Sequence, residues 1–292
     1  MPFAVITDSA SNLTIDLLEK YNIDMISFHY LLNDKLVKCY DPSKDYVEES
    51  KKFYNALREG NFIKTSLISP NDYYECFKKH LDRGEDVLYI SISGKLSGTL
   101  NSSCNARDML VDEYKDRKII CLDSYSASYG EAIIAIKATE CREKGMSLEE
   151  TVEYISSIRM NIRNEFTVDK LIYLRRTGRI SALIYSIGAL LDIKPLLRAS
   201  RKADIESCGK VRGRKKALLT MYKTVSENIL NPENQIVYIA HCDVEEEAKK
   251  IGDMIKENLH VKDVYINYYD MCTGAHVGPG TIAIFYYGKE RK

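Results

Sequence analysis

The 292-residue chain has no tryptophan, no close pair of cysteines, no long apolar run and no net charge. The missing tryptophan carries no functional reading, but each other shortfall removes a class of protein. No stretch approaches the roughly 20 apolar residues of a membrane-spanning helix. The nearest two of the eight cysteines, Cys104 and Cys121, are 17 residues apart, so the C-x-x-C spacing of zinc sites and thiol exchange is absent. Most cysteines sit in apolar runs, as Cys121 does in KIICLD, and read as small buried hydrophobes in a reducing compartment. Lys plus Arg and Asp plus Glu both total 42, which argues against a general nucleic-acid or membrane-surface role. The start, MPFAVITDSA, has neither a basic region nor an apolar signal core. A cytoplasmic location is therefore expected, with the Asn101-Ser102-Ser103 sequon unused.

Familiar catalytic strings are also missing. There is no Walker A loop, no H-E-x-x-H and no EF-hand loop. Gly94-Lys95-Leu96-Ser97-Gly98 is not the G-x-S-x-G elbow of a serine hydrolase. The histidines at 29, 80, 241, 260 and 276 lack ligand spacing, so neither a metal nor a cofactor is expected. Gly278-Pro279-Gly280-Thr281-Ile282-Ala283 matches a dinucleotide-binding string. Its glycines precede a strand rather than follow one, and Pro279 removes an amide that phosphates would need.

What remains is a well-folded composition, 45% hydrophobic and 29% charged, with a length that suits two domains. Residues 3–8, 23–32, 36–40, 86–92 and 118–123 read as strands, and 45–60, 70–81 and 126–144 as helices. Ser69 before Pro70 marks a helix start. Ser147 with Glu150 marks another, running to about Arg163. Alternating strands and helices imply an α/β fold with a mostly parallel sheet flanked by helices in an N-terminal domain, 1–163. The remainder, 164–292, reads as a second α/β or α+β domain. It would hold a short helix at 170–176, an apolar helix at 180–191, a hairpin, a basic helix from Val211 to Asn228 and closing strands.

Hydroxyl-rich turns recur at expected strand ends: Asp8-Ser9, Thr65-Ser66, Ser93 to Thr99 and Asp123-Ser124. Hydroxyls and helix N-terminal amides donate hydrogen bonds to an anion without burying another charge. Each turn alone reads equally as a helix cap. GAHVGPG reads as a tight loop presenting His276, which could as well be structural. Ile180–Leu191 has nine apolar residues in twelve, as plain core or as the wall of an apolar cavity. Between Lys194 and Lys223 there are ten Lys or Arg and two Asp or Glu. That segment is either a solvated face or a docking surface for an acidic partner or phosphate-bearing ligand.

Taken together, TDSASNL, KTSLISPNDYYECF, SGKLSGTLNSS, LDSYSASYG, LIYLRRTGRIS with IGALLDIKPLL, GKVRGRKKAL and GAHVGPGTIAIFY resemble the DegV family in order and spacing, over essentially the whole chain. The resemblance implies a non-enzymatic protein that binds one long-chain fatty acid. The carboxylate would lie between the domains and the acyl chain in the C-terminal one. It implies Thr65, Ser66, Ser97, Thr99 and His276 as carboxylate ligands, with Arg175 nearby. Ile180, Leu183, Ile184, Ile187 and Leu190 would line the acyl tunnel. Arg212 and Lys215 would dock a partner fatty acid kinase that phosphorylates the bound acid. Leu100 stands where the family often has Tyr, and Thr177 where it often has Gly. The competing expectation is an enzyme acting on a carboxylated or phosphorylated metabolite, with His276, Asp8 or Asp123 as general base.

Overall fold

A computed structural model describes residues 3–181 and 192–291. The chain divides into two compact units. The first is Met1–Pro42 with Lys64–Arg159, and the second is Ser43–Ile63 with Met160–Lys292. The single boundary read near residue 163 thus lies close to one crossing, while residues 43–63 belong with the second unit.

The first unit is built on a four-stranded parallel sheet in the order β2-β1-β6-β7, from Ile23–Ile26, Phe3–Asp8, Asp86–Ser91 and Ile119–Asp123. Every position of β1 and β6 is buried, as expected of parallel strands covered on both faces. Helix α5 (Tyr129–Glu143) packs on β1 and β6, while α3 (Pro70–Leu81) and α4 (Thr99–Leu110) pack on each other and against β6. Ser69 caps α3 in a reciprocal capping box with Asp72, and Ser147 does the same with Glu150 for α6 (Leu148–Ile158). Both helix starts agree with the sequence reading. α1 (Ile15–Tyr21) completes the helices of this unit.

Residues 23–32 do not form one strand. The chain turns at Ser27-Phe28, and β3 (His29–Leu32) joins β4 (Lys35–Lys38) and β5 (Lys64–Ser66) in a separate antiparallel sheet. The turn is held by local bonds: Phe28 N–H donates to Ser9 Oγ at 2.9 Å and Tyr40 N–H to Ser27 Oγ at 3.0 Å.

The second unit carries a six-stranded mixed sheet in the order β10-β9-β8-β13-β11-β12. Its strands are Ile205–Arg212, Ile193–Ala199, Ile162–Thr167, Ile282–Tyr287, Ile236–His241 and Asp263–Tyr268, and only β11 and β12 run parallel. The sequence reading carried α6 to residue 163. Instead the helix ends at Ile158 and Ile162 opens β8. The basic helix α8 starts at Arg214, because Val211 and Arg212 still pair with β9. Helices α8 (Arg214–Asn228) and α9 (Glu245–Leu259) close one apolar core through Ala217, Met221, Val225, Ile251 and Ile255 against Val237, Ile239, Ile282 and Ile284.

Helix α2 (Tyr46–Arg58) belongs here for a physical reason. Its buried Tyr54 donates from its hydroxyl to Tyr269 O at 2.9 Å, and that hydroxyl occupies the space a side chain at Gly274 would need. Arg58 adds an ion pair with Asp243. The short helices α7 (Ile172–Arg176) and α10 (Met271–Val277) pack together.

Candidate functional site

In the first unit the hydroxyl-rich turns gather at the carboxyl edge of the parallel sheet. The loop after β6 is fixed from below by two acids. Asp8, fully buried at the end of β1, accepts from Ile92 N–H at 3.3 Å, Ala10 N–H at 2.9 Å and Tyr89 Oη at 2.7 Å. Asp123, at the end of β7, accepts from Gly94 N–H at 3.1 Å and Tyr125 N–H at 2.8 Å. Ser93 N–H donates to Ser126 O at 2.7 Å, so the neighbouring turn braces the same loop.

That bracing sets the S-G-T turn. Ser97 Oγ donates to Thr99 Oγ1 at 2.9 Å and accepts from Thr99 N–H at 3.3 Å. Ser97 is half-buried, and Thr99, the first residue of α4, is fully buried. Gly98 leaves α4 with no side-chain cap and no acid in its first turn. Apart from the Ser97 acceptor, the positive end of the helix dipole meets no acid at this turn, a setting that favours an anion.

Thr65 and Ser66 reach the same region by a different route from the one the sequence suggested. They do not follow a parallel strand but lie within β5, antiparallel to β3, with Tyr30 opposite Thr65 and His29 opposite Ser66. Thr65 is half-buried; Ser66 is exposed and its Oγ donates to His29 O at 3.4 Å. The next residue, Leu67, lies 3.4 Å from the point where a Cβ on Gly98 would stand, which brings the T-S strand beside the S-G-T turn. A Cβ at 98 would stand in ordinary contact with Leu67.

Beneath these turns is a network that the sequence reading missed. Thr7 Oγ1 donates to Glu131 Oε1 at 2.7 Å, Glu131 is one of the groups acting on the Asp8 carboxyl, and the Tyr73 and Tyr89 hydroxyls are 2.6 Å apart. Asp8 and Glu131 are both fully buried. Burial lifts the Asp8 carboxyl from the usual 3.8 to about 6, against the lowering effect of its donors. Burial likewise raises Asp123. The only sequence trace of this arrangement was an Asp at the end of each apolar strand.

In the second unit His276 is not in a loop. It occupies the last turn of α10, whose Asp270 N-cap accepts from Thr273 N–H at 2.6 Å. Burial depresses the imidazole from 6.5 to about 3, and the Arg179 charge pushes the same way. His276 is therefore a neutral imidazole at physiological pH, suited to hydrogen bonding rather than to charge pairing. After it the chain turns at Gly278 and Gly280, both at positive φ. Tyr173 of α7 fills the space that a side chain on Gly278 would need.

Arg175 is exposed on α7, whereas Arg179 is half-buried, and burial lowers its guanidinium. Arg175 is the arginine expected near the carboxylate; the charge acting on His276 is that of Arg179. Ile180 is buried. Leu183, Ile184, Ile187 and Leu190 lie outside the described residues. Arg212 and Lys215 are exposed, at the end of β10 and in the first turn of α8. Among the described residues there is no cluster of metal-ligating side chains and no helix long and apolar enough to cross a membrane.

These features define a two-domain α/β protein with a neutral donor set at the edge of a parallel sheet. A family model described as "Uncharacterised protein, DegV family" matches residues 2–289, and the chain belongs to the DegV family. It is 32% identical to a DegV domain-containing protein of Clostridium perfringens, covering 99% of both chains. Among solved structures it is similar to a DegV family protein of Ruminococcus gnavus solved with vaccenic acid. There the TM-score is 0.84 and the identity 29%, covering 97% of this chain and 99% of that one. It is also similar to a DegV family protein of Thermus thermophilus described as binding fatty acid. The TM-score is 0.86 and the identity 27%, covering 99% of this chain and 100% of that one.

Proposed function

We propose that this protein binds one long-chain fatty acid without transforming it. The Thr65, Ser66, Ser97 and Thr99 hydroxyls of the first unit, with His276 and Arg175 of the second, form the donor set for its carboxylate. The observation that carries this reading is the S-G-T turn, where a helix start without an acid and two ordered hydroxyls stand beside the strand that holds Thr65 and Ser66. The binding described for the relatives supports it. So does the neutral state of His276, which adds a donor without the cost of a buried, unpaired charge.

The acyl chain supplies the affinity. Each buried methylene contributes about 0.8 kcal/mol, so roughly fourteen give ~11 kcal/mol before association costs. The head site needs only to position the carboxylate. Ile180, Leu183, Ile184, Ile187 and Leu190 are the side chains assigned to the acyl chain. Binding rather than catalysis is favoured by the state of the candidate bases: Asp8 and Asp123 are each engaged by at least two donors that hold backbone in place.

Native mass spectrometry of freshly purified protein, followed by organic extraction, tests the reading. A bound mass matching a fatty acid is expected, and an apo mass from lipid-replete cells would sink the idea. Thr65→Val and His276→Ala should each lower the retained fraction several-fold while leaving the fold intact by circular dichroism. We further propose that the bound acid is presented to a fatty acid kinase through Arg212 and Lys215. Charge reversal at both should leave fatty acid retention unchanged and slow phosphorylation of the bound acid by such a kinase at least tenfold. An unchanged rate would remove these two residues from the docking surface.

A further inference from the structure

The second unit contains a polar cavity of about 400 Å³, lined by none of the residues proposed above to hold the fatty acid or dock a kinase. It lies among α2, α7 and the starts of α8 and α9, and the Pro279-Gly280 turn forms part of its wall. Its charged lining is Arg58, Lys170 and Arg214 against Asp169 and Glu247.

The two acids are already engaged. Glu247 Oε2 accepts from Arg214 Nε at 2.7 Å, and Asp169 is paired with Lys194. Arg58 is likewise committed, to Asp243. What remains is Arg214 and Lys170. Arg214 Nη1 and Nη2 are shielded from solvent and meet no acceptor among the described residues. A guanidinium carries five N–H donors in a fixed fork, and here only the Nε edge is used. Lys170, exposed beside it, has no ion pair or side-chain hydrogen bond among the described residues.

A second observation concerns α8. Its first turn reads Arg214-Lys215-Lys216, with Gly213 in front, no side-chain cap and no acid. Cations at the positive end of a 15-residue helix oppose its dipole, the reverse of the usual placement. Sequences break such local rules at functional sites, and an anion at this helix start would relieve both the dipole and the unmatched Nη donors.

We infer that this cavity is a phosphate-binding site, with Arg214 Nη1 and Nη2 and the Lys170 ammonium as its principal donors. A phosphate group suits it because its several oxygens can take the Arg fork and a separate ammonium together. The group is either free inorganic phosphate or the phosphoryl end of a larger molecule. The site uses none of the proposed carboxylate ligands, so it stands or falls apart from fatty acid binding.

Phosphorus-31 NMR titrations of the intact protein at low chloride, with inorganic phosphate in one arm and ATP in the other, test this. Saturable binding in at least one arm is expected. Arg214→Met should weaken it at least tenfold and Lys170→Met about threefold. Binding by inorganic phosphate identifies the free ion, and binding by ATP alone identifies a carried phosphoryl group. Because Arg214 also holds Glu247, circular dichroism accompanies its variant. Lys170→Met, at an exposed residue without partners, gives a readout that does not depend on the fold. No saturable binding in either arm, or binding unchanged in both folded variants, overturns the assignment.

Discussion

Two buried acid clusters, one in each unit, are stabilised in opposite ways. In the first, Asp8 has no cation among the groups acting on it; tyrosine and backbone donors meet Asp8, and Thr7 donates to the neighbouring Glu131. In the second, Glu165 is nearly as buried, but Arg163 Nη2 donates to it at 3.1 Å and the Tyr286 hydroxyl at 3.2 Å. Burial without a counter-ion favours the protonated form of a carboxyl, whereas a guanidinium beside a carboxylate favours the charged form. The first cluster therefore leaves Asp8 without a counter-ion, as a group that titrates within reach of neutrality. The second is a compensated ion pair.

The largest test of that contrast is Glu165→Ala. Leaving Arg163 buried without its partner should cost about 3–5 kcal/mol, seen as a lowered urea midpoint. A loss under 1 kcal/mol would mean the pair is solvated. Next comes Asp8→Asn. The folded-state Asp8 carboxyl lies at about 6, above its ordinary 3.8, so the folded form holds the proton more tightly. Its contribution to stability is thus present below pH 4 and lost as pH rises to 6, about 3 kcal/mol in all. Asp8→Asn lacks this loss, so its stability relative to the parent should improve by about that amount between pH 4 and pH 7. A pH-independent difference would show that Asp8 titrates normally.

A smaller effect is expected for Ser97→Ala, which removes the acceptor for Thr99 N–H at the start of α4. About 1 kcal/mol of stability should be lost. The smallest expected change is none. Because His276 stays neutral far below its ordinary value, its own imidazole NMR signals should show no titration step from pH 8 to pH 5. A step near pH 6.5 in those signals would show an ordinary imidazole.

Much of the fold was legible, and the failures have physical causes. β1 was read to the residue, and the Ser69 and Ser147 caps were found because capping uses local hydrogen bonds that sequence spacing records. β8 was lost because Arg163 and Glu165 occupy buried positions in Ile-Arg-Asn-Glu-Phe-Thr, and their mutual pairing hides the strand's apolar pattern. Residues 43–63 were misplaced because the amphipathic face of α2 does not say which surface it will cover. At the candidate site, the hydroxyl turns were visible as composition. The Asp8 and Asp123 clamps were not, because their partners are backbone N–H groups that any residue supplies. Arg179 stood in the same Thr-Gly-Arg-Ile string that drew attention to Arg175, and only burial separates the two.

The placement of α2 also bears on how the chain is made. Tyr54 bonds to Tyr269, 215 residues further on. During synthesis the helix emerges early and waits, its Phe53, Tyr54 and Leu57 face uncovered, until nearly the whole polypeptide has left the ribosome. A fragment ending before residue 269 would carry that sticky face with nothing to shield it. The interval is long enough for aggregation to compete, and a holding chaperone would act on this nascent chain most usefully there.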